Sequence, residues 1–236
     1  MEHPEKKIKE LEILYEDNHI IAVNKRPSDI VQGDKTGDKT LSDEVKAYIK
    51  YTYKKPGEVF LGVVHRLDRP VSGAILFART SKALTRLNQM LKEHLISKTY
   101  WAVVKNAPDQ SEGHLVNYLT RNETKNKTYV SQFEVKGSQK AELTYKLIGS
   151  SDKYHLLEIE LLTGRHHQIR AQLAAIGLPI KGDLKYGFPR SNADASIHLH
   201  ARRITFNHPV QNTPVEIIAN PPADAVWDYF VANYGR

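Results

Sequence analysis

The chain has 236 residues, 40% of them hydrophobic, which is enough for a proper core in one large domain or two small ones. No stretch approaches the ~18 to 20 apolar residues of a membrane span, and with no cysteine disulfides, thiolate catalysis and cysteine zinc sites are excluded. Lys and Arg number 34 against 27 acids, a net charge of +7 with no block of like charge, so the excess is spread over a folded surface and favours a polyanionic partner such as nucleic acid.

The opening "MEHPEKKIKELE" is charged and lacks the apolar centre of a secretory signal. Residues 1–10 read as a charged extension, and a cytoplasmic setting is expected. "LEILYEDNHIIAVNK" reads as two short strands joined by a turn at Glu16 to Asn18. "RPSDIVQGDKTGDKT" is a loop punctuated by Pro27, Gly33 and Gly37. Thr40 precedes a helical face of Leu41, Val45, Tyr48 and Ile49, and Asp43 stands three residues after it, as in a capping box.

Phe60 to His65 and Ala74 to Ala78 read as strands on either side of a polar break that contains Asp68. Ser81 begins a helix with Leu84, Leu87, Leu91 and Leu95 on one face. "KTYWAVV" returns to strand, and residues 107–140 read as loops around one or two exposed strands. Leu143, Tyr145 and Leu147, then Leu157, Ile159 and Leu161, alternate with polar residues as half-buried antiparallel strands do. "TGRHHQIRAQLAAIGLP" reads as a helix capped at Thr163 and stopped by Gly177 and Pro179. "IHLHARRITF" and "VEIIA" give late strands, and Trp227, Phe230 and Val231 mark a closing helix. Strand signals run from residue 11 to about 219 without a linker, so the class is α+β, a mixed and largely antiparallel sheet flanked by helices, in one domain over 11–236.

The polar break "GVVHRLDRPVSGAIL" places one acid, Asp68, between Arg66 and Arg69. A carboxylate among fixed cations stays ionised. It is a poor general acid, but it suits a nucleophile, a charge stabiliser or a structural ion pair. On charge pattern alone a surface salt bridge is the simpler reading. Against it stand the apolar runs on both sides and the turn fixed by Pro70 and Gly73.

These residues carry a resemblance. "HRLDRPVSG" resembles the signature of the RluA family of RNA pseudouridine synthases, His-Arg-Leu-Asp-x-x-Thr/Ser-Ser-Gly. "YEDNHIIAVNKRP", "KTYWAVV", "LLTGRHHQIRAQL", "GDLKYG" and "LHARRITFNHP" resemble further blocks of that family, in its order, over roughly residues 12–219. The resemblance implies the synthase fold, with an active-site cleft across the sheet. It also implies isomerisation of uridine in ribosomal or transfer RNA without metal or organic cofactor. It makes Asp68 the nucleophile, Tyr100 the residue that stacks on the target uracil, and Arg165 the cation that pairs with the aspartate. Attack at C1′ or C6 and assistance to loss of a C2′ proton are all open to Asp68.

Arg66 is expected to assist base flipping or hold a phosphate. His65 reads as a hydrogen bonder that holds the turn. Lys25, Lys98, Arg170, Arg202 and Arg203 are candidates for RNA backbone contact. His166 stands where the family usually has Thr, and Ala171–Gln172 where it usually has Val-His. These departures bear on local packing and RNA preference. With strands starting near residue 11, no S4 RNA-binding module is expected, and residues 107–140 would serve as a clamp or rim. Nothing suggests a partner helix, so a monomer is expected.

A metal hydrolase would use His166, His167, His198 and His200, but no HExxH-type helix or completing acid occurs at sensible spacing. A non-catalytic RNA-binding protein fits the charge but not an intact Asp68, Tyr100 and Arg165 set.

Overall fold

A computed structural model describes residues 11–33 and 37–235. The charged extension over 1–10 and positions 34–36 of the first loop lie outside the described residues. Among the described residues, the strands and four α-helices are those of an α+β protein. Contacts group the described residues into two compact units, those up to 96 with 203–220, and 97–202 with those from 221 on.

In the first unit β1 (Ile13–Glu16) and β2 (Ile20–Lys25) form an antiparallel pair, and β2 pairs with β4 (Ser72–Ala78) from Ile20↔Ala78 to Lys25↔Gly73. Asp17 shapes the first turn, its carboxylate accepting from the amides of His19 and Ile20. The short β3 (Gly62–Val63) also lies antiparallel to β4. The expected strand from Phe60 to His65 is thus trimmed at both ends, and Phe60 is left exposed. At the far end of the unit, β10 (Leu199–Asn207) pairs with β11 (Pro214–Ile218). Ile20, Ala22, Leu76, Leu87, Ile204 and Ile217 are buried together in its core.

Helix α1 (Leu41–Thr52) begins at the expected capping box: Thr40 accepts from the Asp43 amide while Asp43 accepts from the Thr40 amide. Two orphan donors are thereby satisfied at once. Helix α2 (Ser81–Lys92) is capped by Thr80 and buries Ala83 and Leu87. Leu95 lies beyond its end and is exposed, so the apolar stripe is one residue shorter than its spacing predicts.

Both helices stop without glycine. Lys54 (φ 47°) and His94 (φ 58°) take the left-handed position. The following amides reach back three and five residues, Lys54 N to Tyr51 O and Lys55 N to Lys50 O, His94 N to Leu91 O and Leu95 N to Met90 O. This is a Schellman ending, which glycine fills without a Cβ clash. An L-residue there costs about 1–2 kcal/mol. His94→Gly is therefore expected to stabilise the protein by about 1 kcal/mol, after the added chain entropy of glycine is discounted. A urea titration that finds His94→Gly no more stable than the wild type would contradict this.

In the second unit the strand order is β5 (Ser97–Val104), β9 (His155–Leu161), β8 (Gln139–Ser150), β6 (Glu112–Asn122), β7 (Lys127–Ser131), each pair antiparallel. Residues 107–140 are thus mostly a long two-stranded ribbon. The expected alternation holds at Leu143 and Tyr145 and breaks at a register shift between Leu147 and Gly149. A Cβ at Gly149 would lie 2.6 Å from the Tyr234 ring, so glycine is what lets the last helix approach there. That helix, α4 (Ala225–Tyr234), is capped by Asp224, which accepts from the Val226 and Trp227 amides. Trp227 and Phe230 pack on Trp101, Val103 and Leu156.

Helix α3 (Gln168–Ala175) is shorter than its sequence suggests. It starts five residues after Thr163, and His167, in the left-handed region at φ 51°, is its N-terminal flank. Its end is as read: Gly177 (φ 78°) closes a Schellman turn, with Gly177 N to Ala174 O and Leu178 N to Leu173 O.

Candidate active site

In the first unit Asp68 lies in the segment joining β3 to β4 and is half-buried. The chain reverses there in a turn closed by the Val71 amide on the Asp68 carbonyl at 3.0 Å. Two side chains fix this turn from opposite ends. His65 Nε2 accepts the Leu76 amide at 3.1 Å. That ring nitrogen is therefore unprotonated, and the turn-holding reading of His65 stands.

The other fixing residue is Lys25. Ile21, Val23 and Lys25 alternate onto one face of β2, and Lys25 is only 1% exposed. Its ammonium donates to the carbonyls of Arg26 (3.0 Å), Arg69 (3.1 Å) and Val71 (2.6 Å). The Ser28 amide adds a bond to the Arg69 carbonyl at 2.9 Å. All three ammonium protons are spent inside the protein, so the expected phosphate contact by Lys25 is corrected: it ties down the turn that carries Asp68. Burial pushes its pKa down to about 8, opposed by the nearby charges of Asp29 and Asp68.

This charge is held at a cost, with a testable sign. The unfolded side chain titrates near 10.5 and the folded one near 8. Below pH 8 both states are protonated and the penalty is complete. Between about pH 8 and 10.5 the unfolded state binds the extra proton, so stability rises with pH. The gain from this group is up to about 3 kcal/mol. Denaturation at pH 7.5 and pH 10 is expected to show that rise in the wild type and a smaller one in Lys25→Met. An equal rise in both would contradict it.

Arg66 and Arg69 are exposed. Arg69 Nη2 lies 3.4 Å from Asp38 Oδ2, both solvent-facing, and a pair of that kind adds little stability. Arg203 is 3.8 Å from Glu216 and also partly open to solvent.

In the second unit Tyr100 is buried on β5, opposite Ile159 of β9. Lys98 shares its strand face two residues earlier. Burial lowers the pKa of Lys98, and its Nζ lies 3.7 Å from where a Cβ on Gly164 would stand. Lys98 thus borders the loop that carries Arg165.

Gln168 organises that loop. Its Oε1 accepts from Thr163 Oγ1 (2.8 Å) and from the Arg165 amide (3.0 Å), and its Nε2 donates to Glu142 O (3.1 Å). Thr163 also accepts from the Glu142 amide at 2.8 Å. Its hydroxyl therefore serves the loop and strand β8, which explains why it does not cap the helix. Arg165 lies three residues before the helix rather than in its first turn, with an exposed side chain whose Nε donates to Lys140 O at 3.0 Å.

His166, the departure from the family pattern, ties the loop to the β6–β7 ribbon. Thr128 Oγ1 is 2.8 Å from its Nδ1 and Asn126 Oδ1 is 3.1 Å from its Nε2. His167 stacks on it at 3.7 Å and contacts Tyr186 Oη at 2.9 Å.

Arg170 is the second misplaced candidate. It is 5% exposed and grips Asp183 with two parallel bonds, Nε to Oδ2 at 2.7 Å and Nη2 to Oδ1 at 2.9 Å. Its guanidinium also lies 5.1 Å from the centre of the Tyr186 ring. The expected RNA contact is again corrected, because burial and a bidentate partner keep it in the core. Arg202 is half-buried, with its guanidinium 4.6 Å above the Trp101 ring.

The histidines weighed as metal ligands have other work. His198 stacks on Trp227 and sits 2.9 Å from Asp224, while His200 meets the same indole edge-on. Among the described residues no group of three or more His, Asp or Glu could hold a metal ion, and no helix is long and apolar enough to cross a membrane. The residues that sequence reasoning missed are Gln168 and Asp183, together with the pinning role of Lys25. The one local signal for Lys25 was its place just beyond a continuous apolar run, Ile20 to Val23.

Residues 19–175 match a family model described as RNA pseudouridylate synthase. TRNA pseudouridine synthase C of Pectobacterium carotovorum is 30% identical over 243 residues, covering 95% of this chain, and the chain spans 62% of that protein's length. Ribosomal large subunit pseudouridine synthase D of Xylella fastidiosa is 34% identical over 229 residues, covering 91% of this chain and 67% of its own. Among solved structures, human RNA pseudouridylate synthase domain containing 4 superposes with a TM-score of 0.79 at 21% identity, covering 97% of this chain and 95% of that one. That likeness shows the fold.

Proposed function

The chain belongs to the RluA family of RNA pseudouridine synthases, and on that premise we propose that it isomerises specific uridines of ribosomal or transfer RNA to pseudouridine, with Asp68 as the nucleophile. The observation that carries the reading is the fixing of the Asp68 turn by a buried ammonium, which is held there at a cost in stability. Polar groups held against their own solvation are a mark of functional sites.

The reaction breaks N1–C1′ and forms C5–C1′. The C5 hydrogen leaves as a proton and N1 takes one up, so product and substrate are isomers. The target uridine must first leave its stack, at a cost of a few kcal/mol. Asp68 then attacks the flipped nucleoside or assists C2′ deprotonation. Tyr100 is proposed to offer the uracil an aromatic face, and Arg165 to be the cation that the family resemblance pairs with the aspartate. Arg66 fits the flipping or phosphate role, since an exposed guanidinium plane can stack where a base has left. Lys98, Arg202 and Arg203 are the remaining candidates for RNA backbone contact. The two substrate classes come from relatives named for tRNA and for the large ribosomal subunit. The enzyme is proposed to work as a cytoplasmic monomer, without metal or organic cofactor.

Pseudouridine mapping of total RNA from cells with and without the gene tests the proposal. One position lost on deletion names the substrate; a map unchanged at every position would contradict the reading.

A further inference from the structure

Helix α1 and the segment after it carry a feature that the synthase reading does not use. The helix buries Leu41, Val45 and Ile49. Its other side and its end read Lys46, Lys50, Tyr51, Tyr53, Lys54, Lys55. The left-handed turn at Lys54 sends the chain back along the helix end. As a result Tyr53 and Phe60 line one cavity of about 290 Å³, with Ile49, Lys55, Glu58 and Arg79. That volume sits at the lower edge of small-molecule sites.

The two aromatic walls differ. The Tyr53 ring is held: its hydroxyl donates to Glu16 at 2.9 Å and the Arg79 guanidinium lies 4.5 Å from its centre. Phe60 is 47% exposed, and nearby Tyr51 is 60% exposed. The charges differ as well. Arg79 is neutralised by Glu16 at 2.8 Å. Among the described residues the ammonium groups of Lys50, Lys54 and Lys55 have no carboxylate partner. Glu58 is the one acid on the cavity wall; it can accept from an N–H on a base edge, which leaves the lysine side to a phosphate.

We propose that this cavity is a second RNA contact, in which an unpaired base outside the reacting uridine lies against Phe60 and Tyr53 while Lys54 and Lys55 meet its phosphates. Aromatic faces between unpaired cations are what recognises single-stranded RNA, because every base has a π-face and every linkage a charge. Duplex RNA offers the charge without the face. The inference rests on the reading that RNA is the partner.

The test is fluorescence anisotropy with a mixed-sequence single-stranded RNA of about twelve nucleotides, and with its duplex. Phe60→Ala is expected to weaken single-strand binding about tenfold and duplex binding less than twofold. Lys55→Gln is expected to reduce the salt slope for the single strand by about 0.7. Unchanged single-strand binding in Phe60→Ala, or an equal loss on the duplex, would overturn the proposal. Uridine 5′-monophosphate competing as well as the oligomer would also overturn it, in favour of a free-nucleotide site. Turnover separates this proposal from the previous one. A wild type that binds the strand through Phe60 yet makes no pseudouridine would sink the activity and leave this contact standing. An active wild type indifferent to Phe60 would do the reverse.

Discussion

Asp68→Asn is expected to bind RNA as the wild type does and to form pseudouridine at a rate lower by on the order of 10⁴ or more, the scale of losing a nucleophile. The turn is built by main-chain and neighbouring groups: the Val71 amide on the Asp68 carbonyl, His65 on Leu76, and Lys25 on the Arg69 and Val71 carbonyls. An amide of the same size keeps the shape of the side chain within that turn. It removes the negative oxygen that attack requires. Binding affinity and product yield, measured on one RNA, check this. A variant that keeps even a tenth of wild-type turnover would exclude a nucleophilic role and leave Asp68 a structural acid.

The second large effect is on stability. Arg170→Met leaves Asp183, only 1% exposed, as a buried charge without its bidentate partner. Breaking a buried pair from one side costs about 3–5 kcal/mol. Arg170→Met with Asp183→Leu removes both charges and is expected to recover most of that loss, since a well-packed apolar pair often replaces a buried ion pair without penalty. Urea midpoints for the two single variants and the double variant measure the coupling. If Arg170 met RNA instead, the single variant would unfold like the wild type and its RNA affinity would lose salt dependence.

These two residues show where the chain's sequence was legible. Asp68 stood out because a local pattern, one acid within a fixed turn between apolar runs, is written in adjacent letters. The capping box at Thr40 and the glycine stop at Gly177 were read for the same reason, since each is settled within a few residues. Arg170 was misread because its partner lies thirteen positions later, and a formal charge says nothing of burial. The start of α3 failed likewise: Thr163 has the form of a cap, but the Glu142 amide, 21 positions earlier, and the Gln168 side chain claim its hydroxyl. Phe60 was placed in a strand by its apolar neighbours, and only the tertiary pairing shows that the strand begins at Gly62. Lys25 was misread as well: both faces of β2 are buried from Ile20 to Val23, and only the tertiary position of the Arg69 and Val71 carbonyls shows where its ammonium goes.

The most direct measurement is hydrogen release from RNA carrying [5-³H]uridine, with EDTA present throughout. Joining C5 to C1′ frees one tritium for each isomerisation. The account predicts release by the wild type that matches pseudouridine formed, with none from Asp68→Asn. Bound RNA without tritium release from the wild type, on RNA extracted from cells lacking the gene, would contradict it.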